Sequence, residues 1–237
     1  MADKGFKRKL SAILSADAVG YSRLMREDED RTIRTLTTYR FAITALVEKF
    51  RGHVVDATGD NLLAEFSSVL DAVNCGAEIQ RELAKRNAEL PDEHKMQFRI
   101  GINLGDVVKE DGRIYGDGVN IAARMESLAD PGGICISGSV YDSVESRLGL
   151  GFDYLGEQEV KNINKPVRAY HLAPDSGVGE HRIFKAKKNL RKKLLWAISS
   201  AILIVFIIIG VLYWKYFYLP APTEMGSGNK MSPHFPV

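Results

Sequence analysis

Between two long amphipathic helical patterns the sequence sets a short hairpin turned by glycine. "HVVDA" and "NLLAEF", within residues 53–66, are strand-like and are separated by "TGD". A glycine-bearing turn between two short apolar runs is a hairpin signal. Ahead of it, residues 30–50 carry Ile33, Leu36, Phe41, Ala45 and Leu46 at roughly helical spacing. Asp30 is the expected cap of that helix and "RG" at 51–52 its stop. Behind the hairpin, residues 68–90 form a second amphipathic helix, ended by Pro91. A strand-like run closes at Asp17, and "MQFRIGINLGDVV", 96–108, is a strand pair or one long bent strand. The order is β-α-β-β-α-β. It predicts an α+β fold with both long helices on one side of an antiparallel or mixed sheet.

Further elements follow. "DGVNIAARMESLA", 117–129, is a third helix, "GICIS" a strand, "SVYDSVESRL" a short helix, and "FDYLGEQEV" and "VRAYHL" closing strands. A net charge of +2 gives no argument for a nucleic-acid partner. Cys75 and Cys135 are the only cysteines and lack metal-ligand spacing, so two buried thiols are expected rather than a disulfide.

Residues 194–214 contain no charge over 21 positions. As a helix they would measure about 31 Å, enough for a bilayer core of about 30 Å. "KAKKNLRKK", 185–193, precedes them with six basic residues, and only Lys215 and Lys230 follow. By the charge bias of membrane proteins, this predicts a single-pass helix in the inner (plasma) membrane. Residues 1–193 would be cytoplasmic, with 173–193 a linker and basic juxtamembrane segment touching the lipid bilayer, and 215–237 a short tail outside.

Two acids stand at strand or turn positions: Asp17 in "SADAVGY" and Asp60 in "TGDN". Carboxylates so placed can share Mg²⁺, which often takes one or two protein carboxylates and completes its shell with water and phosphate. By spacing alone both also read as turn or capping acids. Asn120 and Arg124 are four apart on the third helix and share a face. An amide and a fixed guanidinium fork suit a sugar and a transferring phosphoryl group, although a solvated polar face has the same spacing. There is no HExxH, no CxxC and no complete Walker A loop.

"LSAILSADAVGYSRLM", "ATGDNLLAEF", "FRIGINLGDVV", "IYGDGVNIAARMESLADPGGICIS" and "LGEQEVKNINKPVRAYHL" occur in that order. Together they resemble the class III adenylate and guanylate cyclase catalytic domain over residues 8–172. The resemblance implies a ferredoxin-like cyclase core with additional C-terminal strands. It implies that Asp17 and Asp60 hold two Mg²⁺ or Mn²⁺ ions per site, that Asn120 orients the ribose, and that Arg124 stabilises the transition state. Arg99 is the implied phosphate-contacting arginine and Lys161 the lysine for the outer phosphates. It further implies a head-to-tail homodimer with composite sites, a nucleoside triphosphate substrate, and a separate effector for the cyclic product.

Adenylate cyclases usually carry a lysine four positions before the second metal aspartate, and an aspartate three positions before the glycine of "GDGVN". Here these positions hold Asp56 and Arg113. Asp can accept from a base N–H and Arg can donate to a carbonyl. This suits uracil, and guanine too; adenine fits with the roles exchanged. The pair also resembles the altered base readers of bacterial pyrimidine cyclases of antiphage defence. UTP giving cyclic UMP is therefore the expected reaction, with adenylate cyclase as an alternative. Guanylate, cytidylate or relaxed specificity remain open, as does an inactive dimerising or nucleotide-sensing module. Asp56 and Arg113 could also pair with each other instead of the base.

Overall fold

The protein is described by a computed structural model that covers residues 8–110, 112–161, 163 and 165–173. These fall in the first of the two units into which the chain divides, Met1–Gly179 and Glu180–Val237.

The elements run β1 (Arg8–Ala18), α1 (Tyr21–Glu27), α2 (Glu29–Lys49), β2 (Gly52–Asp56), β3 (Asn61–Phe66), α3 (Val69–Ala88), a 3-10 turn (Asp92–His94), β4 (Phe98–Glu110), β5 (Arg113–Tyr115), α4 (Asp117–Leu128), β6 (Ile134–Ser137), α5 (Gly138–Val144), β7 (Gly151–Gln158) and β8 (Val167–Ala173). The sheet order is β2-β3-β1-β4-β6-β8-β7, with β5 paired to the far end of β4. All pairings are antiparallel except β4 with β6. The first four strands, with α2 and α3 as crossovers, give the expected β-α-β-β-α-β core.

Local chemistry explains the helices. α2 buries Thr32, Leu36, Tyr39, Ile43 and Val47, a stripe at three- and four-residue spacing. Its cap is Asp28, not Asp30: the Asp28 carboxylate accepts from Arg31 N at 3.0 Å, and Glu29 and Asp30 occupy the first turn. After the helix Arg51 turns left-handed at φ 61°, and Gly52 opens β2. α3 is capped by Ser68, whose hydroxyl accepts from Asp71 N at 3.3 Å. The 96–108 region holds one long strand, β4, rather than a pair; it begins at Phe98 and runs on to Glu110.

The largest core lies on one face of the sheet. Ala12, Leu14 and Ala16 of β1, Leu62, Ala64 and Phe66 of β3, and Ile100 and Ile102 of β4 meet α2 and α3 there. The two long helices share that side, but the helices as a whole do not pack on one side of the sheet, because α4 takes the other. It packs on the opposite face, where Ala122 joins Ile13, Val107 and Ile114, and Met125 joins Cys135 and Ala169. The cause is legible in β1 and β4, which are buried on both faces and so require cover twice. Gly101 permits the close approach: a Cβ there would run into the backbone of Ala122 and Glu126. Cys75 and Cys135 are free and buried. They belong to cores on opposite faces, and burial pushes each thiol up to about 12.

The transmembrane helix is a second correction. Among the described residues no helix is long and apolar enough to cross a membrane. Residues 194–214, on which that expectation fell, lie outside the described residues, as do the linker and tail. The bilayer partner, the inner-membrane localisation and the outside tail were all drawn from that one hydropathy run, and none is retained.

Candidate functional site

Side-chain alternation along the strands decides what meets at the site. On β1 the odd residues Ile13, Ser15 and Asp17 face α4, while Ala12, Leu14 and Ala16 face the larger core. Asp17 pairs across the ladder with Asn61 of β3 on one side and Arg99 of β4 on the other. Asp60 sits in the turn between β2 and β3, where Asn61 N bonds the Thr58 carbonyl at 3.2 Å and Gly59 takes φ 61°. Its own carbonyl accepts from Ala18 N at 3.3 Å. The turn is thereby tied to the end of β1, and the two expected aspartates emerge at neighbouring strand ends.

Arg99 is fastened to Asp17 by two hydrogen bonds, Nε to Oδ1 at 3.0 Å and Nη2 to Oδ2 at 2.6 Å. This bidentate contact raises the pKa of Arg99, against the opposing effect of its partial burial. The expected phosphate arginine is thus held beside an expected metal aspartate.

Glu126 escaped the sequence reading. It lies on the inner face of α4, two residues past Arg124, and is buried. Its Oε2 accepts from Ser15 Oγ at 2.5 Å and from Asn61 Nδ2 at 3.3 Å. Burial pushes its pKa up to about 7; the Ser15 bond and Arg99 oppose this, and the negative charges of Asp17 and Asp60 add to it. A signal was available: Glu126 stands four residues after buried Ala122 and three before buried Ala129, an acid inside an apolar stripe.

Asn120 and Arg124 are exposed on the outer face of the same helix. The structure therefore does not bring them to Asp17 and Asp60 within one chain. Asp56 ends β2 after an irregularity in register between Val54 and Asp56, which leaves Asp56 opposite Leu63 on the α4 face. It accepts from Thr58 Oγ1 at 2.6 Å. Arg113 is exposed on β5, where its neighbour Ile114 is buried on the α4 face. Lys161 is exposed in the turn after β7.

Among the described residues no group of three or more His, Cys, Asp or Glu could enclose a metal ion. What the protein offers is the two carboxylates Asp17 and Asp60, the former with each oxygen also accepting from Arg99, while Asn61 and the Asp60 carbonyl are already engaged. That all-oxygen, incomplete donor set fits Mg²⁺ or Mn²⁺ completed by water and substrate phosphate, and does not fit an all-protein cage.

Known proteins are similar to this chain in sequence and fold. Residues 8–174 match the model of the adenylate and guanylate cyclase catalytic domain. A putative adenylate cyclase 3 of Rhizobium meliloti (strain 1021) is 45% identical over 175 residues, covering 73% of this chain and 30% of that protein. An adenylate cyclase of Glutamicibacter nicotianae is 28% identical over 171 residues, covering 71% of this chain and 40% of the other. The chain thus spans well under half the length of these curated relatives. Among solved structures, an adenylate/guanylate cyclase/hydrolase from Silicibacter pomeroyi is 42% identical, with a TM-score of 0.67 over 71% of this chain and 99% of that one. With the motifs, the sheet order and the family match in agreement, the chain belongs to the adenylate and guanylate cyclase catalytic-domain family.

Proposed function

We propose that the domain cyclises a nucleoside triphosphate, with ATP as substrate and cyclic AMP and pyrophosphate as products. The observation that carries the reading is the pair Asp17 and Asp60 at adjoining strand ends, with Arg99 held against Asp17. The 3′-oxygen of the ribose attacks the α-phosphorus, its proton leaves to solvent, and the bond to the pyrophosphate oxygen breaks. Asp17 and Asp60 would hold the divalent ions, which when bound supply Lewis-acid stabilisation of attacking and leaving oxygens. Arg99 neutralises phosphate charge, and Lys161 is assigned to the outer phosphates.

Asn120 and Arg124 act on the ribose and the transferring phosphoryl group. Their exposure on the outer face of α4 supports a head-to-tail homodimer, in which each site takes the aspartates of one protomer and the asparagine and arginine of its partner.

The choice of ATP departs from the UTP expectation. It is supported by relatives named as adenylate cyclases, one of them at 45% identity. The UTP and antiphage reading rested on Asp56 and Arg113 alone and has no support from the relatives.

The test is to incubate the full-length protein with ATP, GTP, CTP and UTP in Mg²⁺ and in Mn²⁺, and to identify products by mass. Cyclic AMP as the dominant product is expected, and Asp17→Ala or Asp60→Ala should lower its formation by roughly 100-fold or more. Cyclic UMP as the main product overturns the base assignment. No cyclic product from any of the four, or full activity in the double aspartate variant, overturns the enzyme reading.

A further inference from the structure

Two aspartates on separate elements make a useful ion site only if their separation is fixed; the Asp17–Asn61 ladder pair and the Ala18 N bond to the Asp60 carbonyl join the two backbones, and side chains brace that junction from both faces. The turn is held from one side by α2: Arg40 Nη2 bonds the carbonyls of Ala57 and, at 3.3 Å, Asn61. From the opposite face Glu126 reaches both elements with a single oxygen. Ser15, at 2.5 Å from Glu126 Oε2, lies two residues before Asp17 on the same face of β1; Asn61, at 3.3 Å, directly follows Asp60. The anchor itself is rigid, because α4 is seated on β4 at Gly101, where the backbone of Glu126 leaves no space for a side chain.

A glutamate kept for packing alone would be costly here. It is 6% exposed, and among the described residues it has no ion-pair partner, since Arg99 gives its bidentate contact to Asp17. The same helix presents Asn120 and Arg124 on its outer face. We infer that Glu126 is a positioning residue: through Ser15 and Asn61 it sets the spacing of Asp17 and Asp60, and it couples that pair to the helix bearing Asn120 and Arg124. The inference rests on the proposed reading only in taking the two aspartates as the ion site.

Mn²⁺ binding to the full-length chain without nucleotide, followed by the electron paramagnetic resonance of free Mn²⁺, tests it apart from turnover. Glu126→Gln keeps an oxygen that accepts from both partners and should hold the Mn²⁺ dissociation constant within about threefold of wild type. Glu126→Leu removes the acceptor and should weaken binding by about tenfold or more, the scale on which outer partners of metal ligands act. Ser15→Ala, a milder change that keeps the fold if Glu126→Leu does not, should weaken it by about threefold. Wild-type affinity in a folded Glu126→Leu or in Ser15→Ala overturns the inference. So does a Glu126→Gln as weak as Glu126→Leu, or a wild-type chain that binds no Mn²⁺. A chain that shows the expected Mn²⁺ series yet cyclises no nucleotide rejects the proposed activity and leaves the positioning role standing.

Discussion

Glu65 on β3 and Glu126 on α4 are both 6% exposed, and both bond a serine of β1 on the face that α4 covers. Their surroundings differ in one respect. Glu65 accepts from Ser11 at 2.7 Å and from Lys9 at 3.1 Å, with Lys109 at 3.7 Å. Burial raises its pKa, but the Ser11 and Lys9 bonds and the two lysine charges outweigh this, and the net direction is down. Glu126 has Ser15 and Asn61 as partners and, among the described residues, no ion pair; burial carries it up to about 7 against the Ser15 bond and the more distant charge of Arg99. One end of β1 thus carries a neutralised carboxylate that fastens the sheet. The other end carries, near Asp17, one that among the described residues has no ion-pair partner. A protein tolerates that second arrangement where geometry matters more than stability.

The widest expected separation between the two is in pH dependence. Glu126 binds its proton more tightly in the folded chain, so its contribution is fully present below the ordinary value of 4.5 and is lost as pH rises through about 7. The shift corresponds to at most about 3 kcal/mol. Glu65 has the opposite sign: its contribution is present above the ordinary glutamate value and is lost as pH falls into the acid range. Urea unfolding at pH 5 and pH 8, with chelator present, measures the first effect. Glu126→Gln should remove most of the fall in stability across that interval. A variant with the wild-type slope would show that Glu126 does not titrate as its surroundings require.

Next in size is the cost of removing the fastener. Glu65→Gln leaves Lys9 and Lys109 without their anion and should destabilise the domain by roughly 1–3 kcal/mol at pH 7. Cyclase activity per folded molecule should stay within about twofold of wild type, because Glu65 bonds β1 at Ser11, far along the strand from Asp17. Activity lost in proportion to that seen on removing Glu126 would erase the distinction between the two ends.

How far the sequence could be read follows the same division. The placement of Asp17 and Asp60 at neighbouring strand ends was legible because an acid closing an apolar strand and an acid in a glycine turn are unusual positions. The crossover helices and the hairpin were legible from period alone. The face that α4 covers was not. β1 reads as a single apolar run, "SAILSADA", and a run buried on both sides hides its alternation. Short β5 and α1 carry too few residues for a period to show. Glu126 was passed over because helix acids are ordinarily solvated; only its register against Ala122 and Ala129 marks it. The register irregularity that sets Asp56 opposite Leu63, and the short strand that carries Arg113, are relations that no linear spacing contains. The hydropathy run at 194–214 is a local property that says nothing of the catalytic fold.

The smallest effects belong to the lysines that make Glu65 different. Each is 51% exposed, so either pair alone should contribute no more than about 1 kcal/mol. Lys9→Ala should cost more than Lys109→Ala, because Lys9 makes a hydrogen bond at 3.1 Å whereas Lys109 stands 3.7 Å away. Raising the salt from about 0.1 M to about 1 M shortens the screening length from about 10 Å to about 3 Å and should shrink both differences. The informative readout is again the slope of stability with pH. With each lysine removed, Glu65 keeps its burial and its Ser11 bond while losing cationic charge, and so approaches the condition of Glu126. Its contribution should therefore move toward the acid side in steps, further for Lys9→Ala than for Lys109→Ala. An unchanged slope in both would mean that the Ser11 hydroxyl, rather than the two cations, holds Glu65 ionised, and the contrast with Glu126 would need another cause.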